Sequence, residues 1–308
     1  MKKIAFLYPG QGSQSVGMGI SVAEHFPGAA SIFKRASACA GYDILSLCAE
    51  GPEEKLSRTL YTQPALYTVE AAITDVLKAK DIHPVCTAGH SLGEFSAWYN
   101  ADVFGFEEGF ELVSERARIM DNVNPDSNGI MCAIIGLTQD AVEEACNAVD
   151  GMVVVANMNS PLQMVISGEK DAVEKAGLIL KEKGAKYILT LKVSGAFHSP
   201  LMKNAQKEFA RIVMNTKICD AKIPVYSNVS GKPITDTDTI RNAIIDHLTS
   251  PVRWLETVSN MIRDGVEEAY EIGPGNVLAG LARRIDGSLT VHRISEYSQI
   301  KELVNEKT

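Results

Sequence analysis

The sequence of 308 residues predicts an α/β fold in which a smaller unit is inserted into a domain built on a parallel sheet. Three observations predict it. Short apolar runs alternate with helical patterns along the first part of the chain, a G-x-S-x-G pattern stands between a strand and a helix, and the pattern changes after a loop of turn formers. Strands that alternate with helices indicate a parallel sheet covered on both faces.

The predicted large domain is α/β-hydrolase-like and occupies residues 1–126 and 196–308. It begins with a buried strand over Ile4–Tyr8, which leads into a glycine loop. Its further predicted elements are helices over 29–40 and 65–80, a strand over 85–88, helices over 92–100 and 106–122, a helix from Ser199-Pro200 onward, a strand over 223–226, helices over 239–248 and 252–263, and a strand over 268–271.

The predicted small subdomain occupies residues 127–195 and follows the loop of turn formers over 124–129. Its predicted elements are strands over 130–135, 152–156, 163–167 and 187–191, helices over 139–149 and 171–183, and a turn over 157–161. The order β-α-β-β-α-β is that of a ferredoxin-like unit. Since active sites favour crevices between such units, we expect the site between the two.

Composition narrows the classes of function. The formal net charge of −8 comes without a basic stripe, which argues against nucleic acid as a partner. The six cysteines are scattered and contain no C-x-x-C pair, as in a cytosolic protein with reduced thiols. The apolar run over 4–8 is too short for a signal peptide, and no segment has the length of a membrane span. We therefore expect a cytoplasmic protein with no membrane partner.

The segment Gly89-His90-Ser91-Leu92-Gly93 carries the strongest chemical signal. A serine between glycines at a strand-to-helix turn sits on a strained backbone that exposes its hydroxyl, and the glycines remove Cβ atoms that would block close approach. The following helix directs its N-terminus at the serine, so the Leu92 amide can stabilise an oxyanion. Ser91 is the predicted nucleophile.

A nucleophilic serine needs a base, and the chain has six histidines. His198 lies where the chain returns to the large domain, before a helix predicted to start with Ser199 as N-cap and Pro200 as first residue. Because a nearby helix N-terminus disfavours imidazolium, we expect a neutral ring that accepts a proton. His198 is the predicted base, and a buried structural histidine is the alternative. Packing or solvent-facing roles are expected for His25, His83, His90 and His292.

No cofactor or metal is expected. Gly10-Gln11-Gly12 follows a strand, as a dinucleotide fingerprint does, but the glycine required three residues later is replaced by Ser15. Gly273-Pro274-Gly275 is expected to turn a strand into the next helix. The sequence has no H-E-x-x-H pattern and no Cys/His cluster with metal-ligand spacing.

Taken together, these motifs resemble those of malonyl-CoA:acyl-carrier-protein transacylases, discrete acyltransferases of fatty-acid and polyketide synthesis. The resemblance runs essentially end to end. It is carried by Pro9-Gly10-Gln11-Gly12-Ser13-Gln14, Gln63-Pro64-Ala65-Leu66, Gly89-His90-Ser91-Leu92-Gly93-Glu94, Arg116, Asn159-Ser160-Pro161, His198, Pro251-Val252-Arg253-Trp254 and Gly273-Pro274-Gly275.

The resemblance implies that Ser91 takes a malonyl group from malonyl-CoA and passes it to the phosphopantetheine thiol of an acyl carrier protein. It also implies that His198 is the base and that the amides of Gln11 and Leu92 form an oxyanion hole. Arg116 would bind the malonyl carboxylate, a task that suits a planar guanidinium. Without the resemblance, Arg116 would be interpreted as a solvated helix arginine.

Two positions bear on the details of that implied site. The family usually has glutamine where His247 stands, a position credited with orienting the catalytic histidine. If a main-chain carbonyl orients that histidine the change is harmless, and if the amide side chain does so the assignment fails. Ala196-Phe197-His198 resembles the A-F-H signature of malonyl-selective polyketide acyltransferases, in which bulky Phe197 leaves little room for an α-methyl group.

We therefore expect a monomeric acyltransferase that works by ping-pong transfer without metal or redox cofactor. One alternative is a thioester hydrolase that lets water attack the same acyl-serine, and another is a catalytically silent module that docks carrier proteins. Because carrier proteins of this type are acidic, docking is expected on basic residues despite the net charge: Lys181, Lys183, Lys186, Lys192, Arg283 and Arg284. Whether the carrier belongs to fatty-acid or polyketide synthesis stays open.

Overall fold

The computed structural model describes residues 2–122 and 129–305. Its strands are β1 Ile4–Tyr8, β2 Cys86–Gly89, β3 Gly129–Ile135, β4 Val153–Ser160, β5 Gln163–Glu169, β6 Tyr187–Thr190, β7 Val225–Tyr226, β8 Pro233–Ile234, β9 Glu268–Ile272 and β10 Thr290–Ile294. Its α-helices are α1 Ile20–His25, α2 Pro27–Ala40, α3 Ile44–Glu50, α4 Glu53–Leu56, α5 Thr59–Ala79, α6 Gly93–Asn100, α7 Phe106–Asp121, α8 Gln139–Asn147, α9 Lys170–Glu182, α10 Lys203–Asn215, α11 Thr237–Asp246, α12 Trp254–Arg263, α13 Val277–Ile285 and α14 Tyr297–Asn305.

A mostly parallel sheet forms the centre of the large part of the molecule. Its strand order is β10-β9-β1-β2-β7-β8, and only the last pair is antiparallel. The central strand β1 is buried along nearly its whole length, because helices cover both faces of the sheet. The predicted class of α/β fold with a parallel sheet is confirmed.

A separate antiparallel sheet has the order β4-β5-β3-β6. The elements between Gly129 and Thr190 follow in the order β-α-β-β-α-β, as the sequence pattern predicts. Helices α8 and α9 pack on one face of this sheet through their own apolar core. The subdomain boundaries at 126/127 and 195/196 stay predictions, and most of the predicted loop over 124–129 lies outside the described residues.

The predicted turn over 157–161 is wrong in the structure. β4 continues through Ser160, with register irregularities after Val155 and Met158 where it pairs with β5. Asn157 also bridges to Val252 of the large part. These long-range hydrogen bonds override the local turn preference of Asn and Ser, and the chain turns only after Ser160.

Helix α5 starts earlier than the sequence pattern suggests. It begins at Thr59 and carries Pro64 in its interior, whereas a helix starting at Ala65 was expected. Proline removes one backbone donor and favours helix starts, which makes the earlier turns hard to predict. The extra turns matter because they place Gln63 in the interior of the molecule, where it is buried.

Candidate active site

Ser91 lies on a sharp turn between β2 and α6. Its φ is +50°, in the left-handed region that side chains other than glycine rarely adopt. A Cβ on Gly89 would collide with the backbone of Gly93, and a Cβ on Gly93 would collide with the carbonyl of Tyr8. Both glycines are therefore required by close approach, as predicted, and the strained turn presents the serine hydroxyl to the cavity in front of it.

Asn228 fastens this turn from the loop that follows β7. Its side-chain Oδ1 accepts a hydrogen bond from the Ser91 amide at 2.7 Å, and its Nδ2 donates to the Gly89 carbonyl at 2.6 Å. The asparagine is buried, so both bonds are shielded from water. Asn228 was not predicted from the sequence. Its one signal there is a polar residue two positions after a strand of the parallel sheet, near the edge where ligands usually bind.

His198 faces the hydroxyl of Ser91. Its Nε2 lies 2.8 Å from Ser91 Oγ, and its Nδ1 lies 3.0 Å from the carbonyl of His247 and 3.1 Å from the carbonyl of Ser250. Since both carbonyls can only accept, the proton belongs on Nδ1 and Nε2 is free to accept one. The pair thus has the geometry of a nucleophile and its base.

Burial favours the neutral form of the His198 ring. Burial is the largest cause that holds the pKa of His198 well below its usual value, and the nearby His247 and Arg116 lower it further. The predicted cause, a helix N-terminus capped by Ser199, is not what the structure shows. Ser199 donates to the Ala196 carbonyl instead of capping, and the following segment begins as a 3₁₀ turn over Pro200–Met202.

Arg116 is buried on α7, with 1% of its surface exposed. Its Nη1 donates to Gln63 Oε1 at 2.6 Å and its Nη2 donates to Ser91 Oγ at 3.1 Å. Burial lowers the pKa of Arg116 to about 9, which Glu94 opposes, so the guanidinium remains a cation at neutral pH. The alternative of a solvated helix arginine is therefore wrong. The neighbouring Arg118 has that role and pairs with carboxylates on the surface.

His247 contacts the site through both its main chain and its side chain. Its main-chain carbonyl, not its side chain, accepts from Nδ1 of His198, so the replacement of glutamine leaves that interaction intact. The imidazole is 2% exposed and lies among other groups of the site. Its Nδ1 is 3.4 Å from Arg116 Nη2, and its Nε2 is 3.1 Å from Glu94 Oε2.

A cavity of about 270 Å³ opens in front of Ser91, between the two sheets. Residues of the antiparallel sheet and of the large part line it together, including Met131 and Val165. Phe197 is 5% exposed and forms part of the wall. The backbone amides of Gln11 and Leu92 border the cavity, and neither has a hydrogen-bond acceptor among the residues that the structure describes.

Of the other histidines, His90 lines the cavity, and His83 and His292 lie on the surface. His90 borders the cavity, and its Nε2 is 2.8 Å from Asn159 Oδ1 on the irregular end of β4. His83 is exposed beside Asp81, and His292 is exposed on β10. Within the described ranges, no group of three or more His, Cys, Asp or Glu side chains could hold a metal ion.

Comparison with known proteins assigns the family. A model of the acyl transferase domain matches residues 5–292. The chain belongs to the acyl transferase domain family. This acyltransferase is 44% identical over 311 residues to the malonyl CoA-acyl carrier protein transacylase of Haemophilus influenzae, covering 99% of this chain and 100% of that protein.

Solved structures agree with this assignment. An acyl carrier protein S-malonyltransferase from Vibrio cholerae superimposes with a TM-score of 0.95 at 42% identity, over 98% of this chain and 99% of that one. A malonyl-transacylase in complex with a type II polyketide acyl-carrier protein gives a TM-score of 0.95 at 39% identity, over 99% of both chains. The fold of the acyltransferase is therefore that of these enzymes.

Proposed function

We propose that this acyltransferase moves a malonyl group from malonyl-CoA to the phosphopantetheine thiol of an acyl carrier protein, through a malonyl ester of Ser91. The observation that carries the proposal is the buried guanidinium of Arg116, 3.1 Å from the serine hydroxyl. A cation so placed suits an acyl group that ends in a carboxylate. The similar malonyl CoA-acyl carrier protein transacylase of Haemophilus influenzae, and the malonyl-transacylase solved with a polyketide acyl-carrier protein, support the same donor and acceptor.

In the first half-reaction, Ser91 Oγ attacks the thioester carbonyl while His198 Nε2 takes its proton. The amides of Gln11 and Leu92 hold the oxyanion that develops on the carbonyl oxygen. The tetrahedral intermediate then breaks its carbon–sulfur bond, and the protonated His198 donates the proton to the departing CoA thiolate. Arg116 binds the malonyl carboxylate throughout and holds the group in line with the nucleophile.

In the second half-reaction, the carrier's thiol enters the same cavity after CoA has left. His198 takes the thiol proton, the sulfur attacks the ester carbonyl, and the proton returns to Ser91 Oγ as the ester bond breaks. The apolar walls contributed by the antiparallel sheet disfavour water as the competing nucleophile. Neither the hydrolase nor the silent docking module gains support from the site.

The proposal is tested by intact-mass measurement after brief incubation with malonyl-CoA and no carrier. The wild type should gain the mass of one malonyl group, and Ser91→Ala should gain none. An equal adduct in Ser91→Ala would overturn the assignment of the nucleophile. Addition of a phosphopantetheine-bearing carrier should then move the malonyl group to the carrier, whereas release of free malonate instead would favour the hydrolase.

A further inference from the structure

The side chain of His247 lies between the guanidinium of Arg116 and the carboxyl group of Glu94. One ring nitrogen, Nδ1, is 3.4 Å from Arg116 Nη2, and the other, Nε2, is 3.1 Å from Glu94 Oε2. All three side chains are at most 2% exposed, so water does not screen them. The imidazole therefore separates the guanidinium from a carboxyl group that would attract it when ionised.

Hydrogen-bond roles fix the state of the ring. A guanidinium can only donate, so Nδ1 must accept and the proton of neutral imidazole belongs on Nε2, which faces Glu94. Burial is the largest cause that holds the pKa of His247 well below its usual value, and Arg116 lowers it further. The Nε2–Oε2 approach is close but is not aligned as a hydrogen bond, so the ring keeps the carboxylate at a distance without binding it tightly.

Glu94 is anchored on its other side. Its Oε1 accepts from the Asn228 amide at 3.1 Å, the residue that also fastens the turn of Ser91. Burial raises the pKa of Glu94 to about 8, and the amide of Asn228 and the charge of Arg116 oppose that rise. Glu94 therefore ionises as pH rises through about 8, and in that form it is the anion that competes with a substrate carboxylate for Arg116.

We propose that His247 is a positioning residue for donor selectivity: its neutral ring accepts from Arg116 and keeps Glu94 from pairing with it, which leaves the guanidinium free for the donor's carboxylate. This rests on the proposed malonyl transfer. Glutamine offers the same order of groups, an acceptor oxygen towards Arg116 and an N–H donor towards Glu94. An apolar residue offers neither and allows Glu94 to approach the guanidinium.

The test is the ratio of kcat/KM for self-acylation by malonyl-CoA to that by acetyl-CoA, measured above pH 8 where Glu94 is ionised. Only the first donor carries a carboxylate. His247→Leu should lower this ratio about tenfold, because a charge-assisted contact to the donor is weakened. His247→Gln should stay within about threefold of the wild type. His292→Leu, on an exposed strand position, is the matched control and should not change the ratio.

The double variant Glu94→Gln/His247→Leu decides the cause. Removal of the competing anion should return the ratio to within about threefold of the wild type. An unchanged ratio in His247→Leu, or a loss that persists in the double variant, would overturn the proposal. If His247→Leu does not fold, His247→Met is read in the same way. Absence of malonyl acylation in the wild type would instead contradict the proposed function.

Discussion

At Ser91, the proposed reaction requires that His198 be neutral at physiological pH. Because burial is the main cause that lowers the pKa of His198, protonation should inactivate the base only at pH values well below 6.5. The kcat/KM for malonyl-CoA self-acylation should therefore not fall as pH is lowered from 8 to 6.5. A rate that halves near pH 6.5 would show that His198 is solvated like a free imidazole.

Removal of the base should slow acylation without abolishing binding. His198→Ala should lower the rate of malonyl-serine formation about 100- to 10,000-fold, the usual contribution of general-base catalysis. Quench-flow mass measurement gives this rate, and Ser199→Ala is a neighbouring control that leaves the ring in place. Acylation within a few-fold of the wild type in His198→Ala would return the histidine to a structural role.

Phe197 gives a prediction about the size of the acyl group. Its side chain is 5% exposed in the wall of the cavity in front of Ser91, and we expect an added α-methyl group on the donor to press against it. Overpacking of a filled pocket costs about 1–3 kcal/mol, which favours malonyl-CoA over methylmalonyl-CoA. Competition between the two donors measures this preference, and Phe197→Ala should relax it. Equal kcat/KM values in the wild type would remove the steric argument.

The sequence could predict which residue types react, but not their partners from distant segments. Ser91 carries a local signature in the pattern of its glycines, and His198 stands close to a turn. Asn228 and the Ser250 carbonyl come from loops with no pattern of their own, and only the fold brings them to the site. Their roles depend on tertiary contacts that residue spacing does not encode.

At the scale of elements, the turn between β2 and α6 should tolerate no side chain at its glycines. Gly93→Ala should prevent folding or destabilise the protein by more than about 3 kcal/mol, since its Cβ would meet backbone atoms of β1. Gly28→Ala in α2 is the matched control, because a Cβ there meets no atom within 4 Å. Chemical denaturation followed by circular dichroism compares the two. Equal stabilities would contradict the close packing of the turn.

The carrier is predicted to dock on basic residues that lie on or next to α9, β6 and α13. Lys183 already pairs with Glu144 at 2.8 Å and Arg284 donates to Gln163 at 2.6 Å. The better candidates for an acidic partner are the exposed Lys181, Lys186, Lys192 and Arg283. Transfer to the carrier should weaken as salt rises, while self-acylation changes less. Lys186→Glu should lower transfer to the carrier at low salt and reduce its salt dependence, with Lys217→Glu as the control. Identical salt responses of both half-reactions would leave the basic patch without support.

Periodicity predicts long elements well and short ones poorly. The central strands and the long helices follow from apolar runs and from three- and four-residue spacing. Helices α1, α3 and α4 have four to seven residues, too few for such a pattern. All three pack against α5, which stabilises them. The end of β4 was predicted as a turn because its pairing partner at Val252 lies far away in the sequence.

For the whole molecule, a buried carboxyl makes stability depend on pH. Burial is the largest cause that raises the pKa of Glu70 well above its usual value, and its Oε1 has no partner among the described residues. Folding therefore favours the protonated form, and this contribution, complete below pH 4.5, is lost as pH rises towards the folded-state pKa. Glu70→Gln should flatten the fall in unfolding free energy between pH 5 and 8. An unchanged slope would contradict the burial of an uncharged Glu70.

The oligomeric state and location are also properties of the whole chain. No helix within the described parts of the chain is long and apolar enough to cross a bilayer. The monomer and the cytoplasmic location stay predictions. Light scattering coupled to gel filtration should give the mass of one chain, 33.3 kDa, and a concentration-dependent doubling of that mass would contradict the monomer.

The central claim is that the buried guanidinium of Arg116 binds the carboxylate of a malonyl donor and so selects that donor. Its most direct test is kcat/KM for malonyl-CoA and acetyl-CoA in the wild type, Arg116→Ala and Arg116→Lys. Loss of the bidentate contact, worth about 1.5–3 kcal/mol, should reduce malonyl transfer about 10- to 150-fold and leave acetyl transfer unchanged or improved. Lysine should restore only part of the difference, because it keeps the charge and loses the fork. A proportional fall for both donors in Arg116→Ala would contradict the claim.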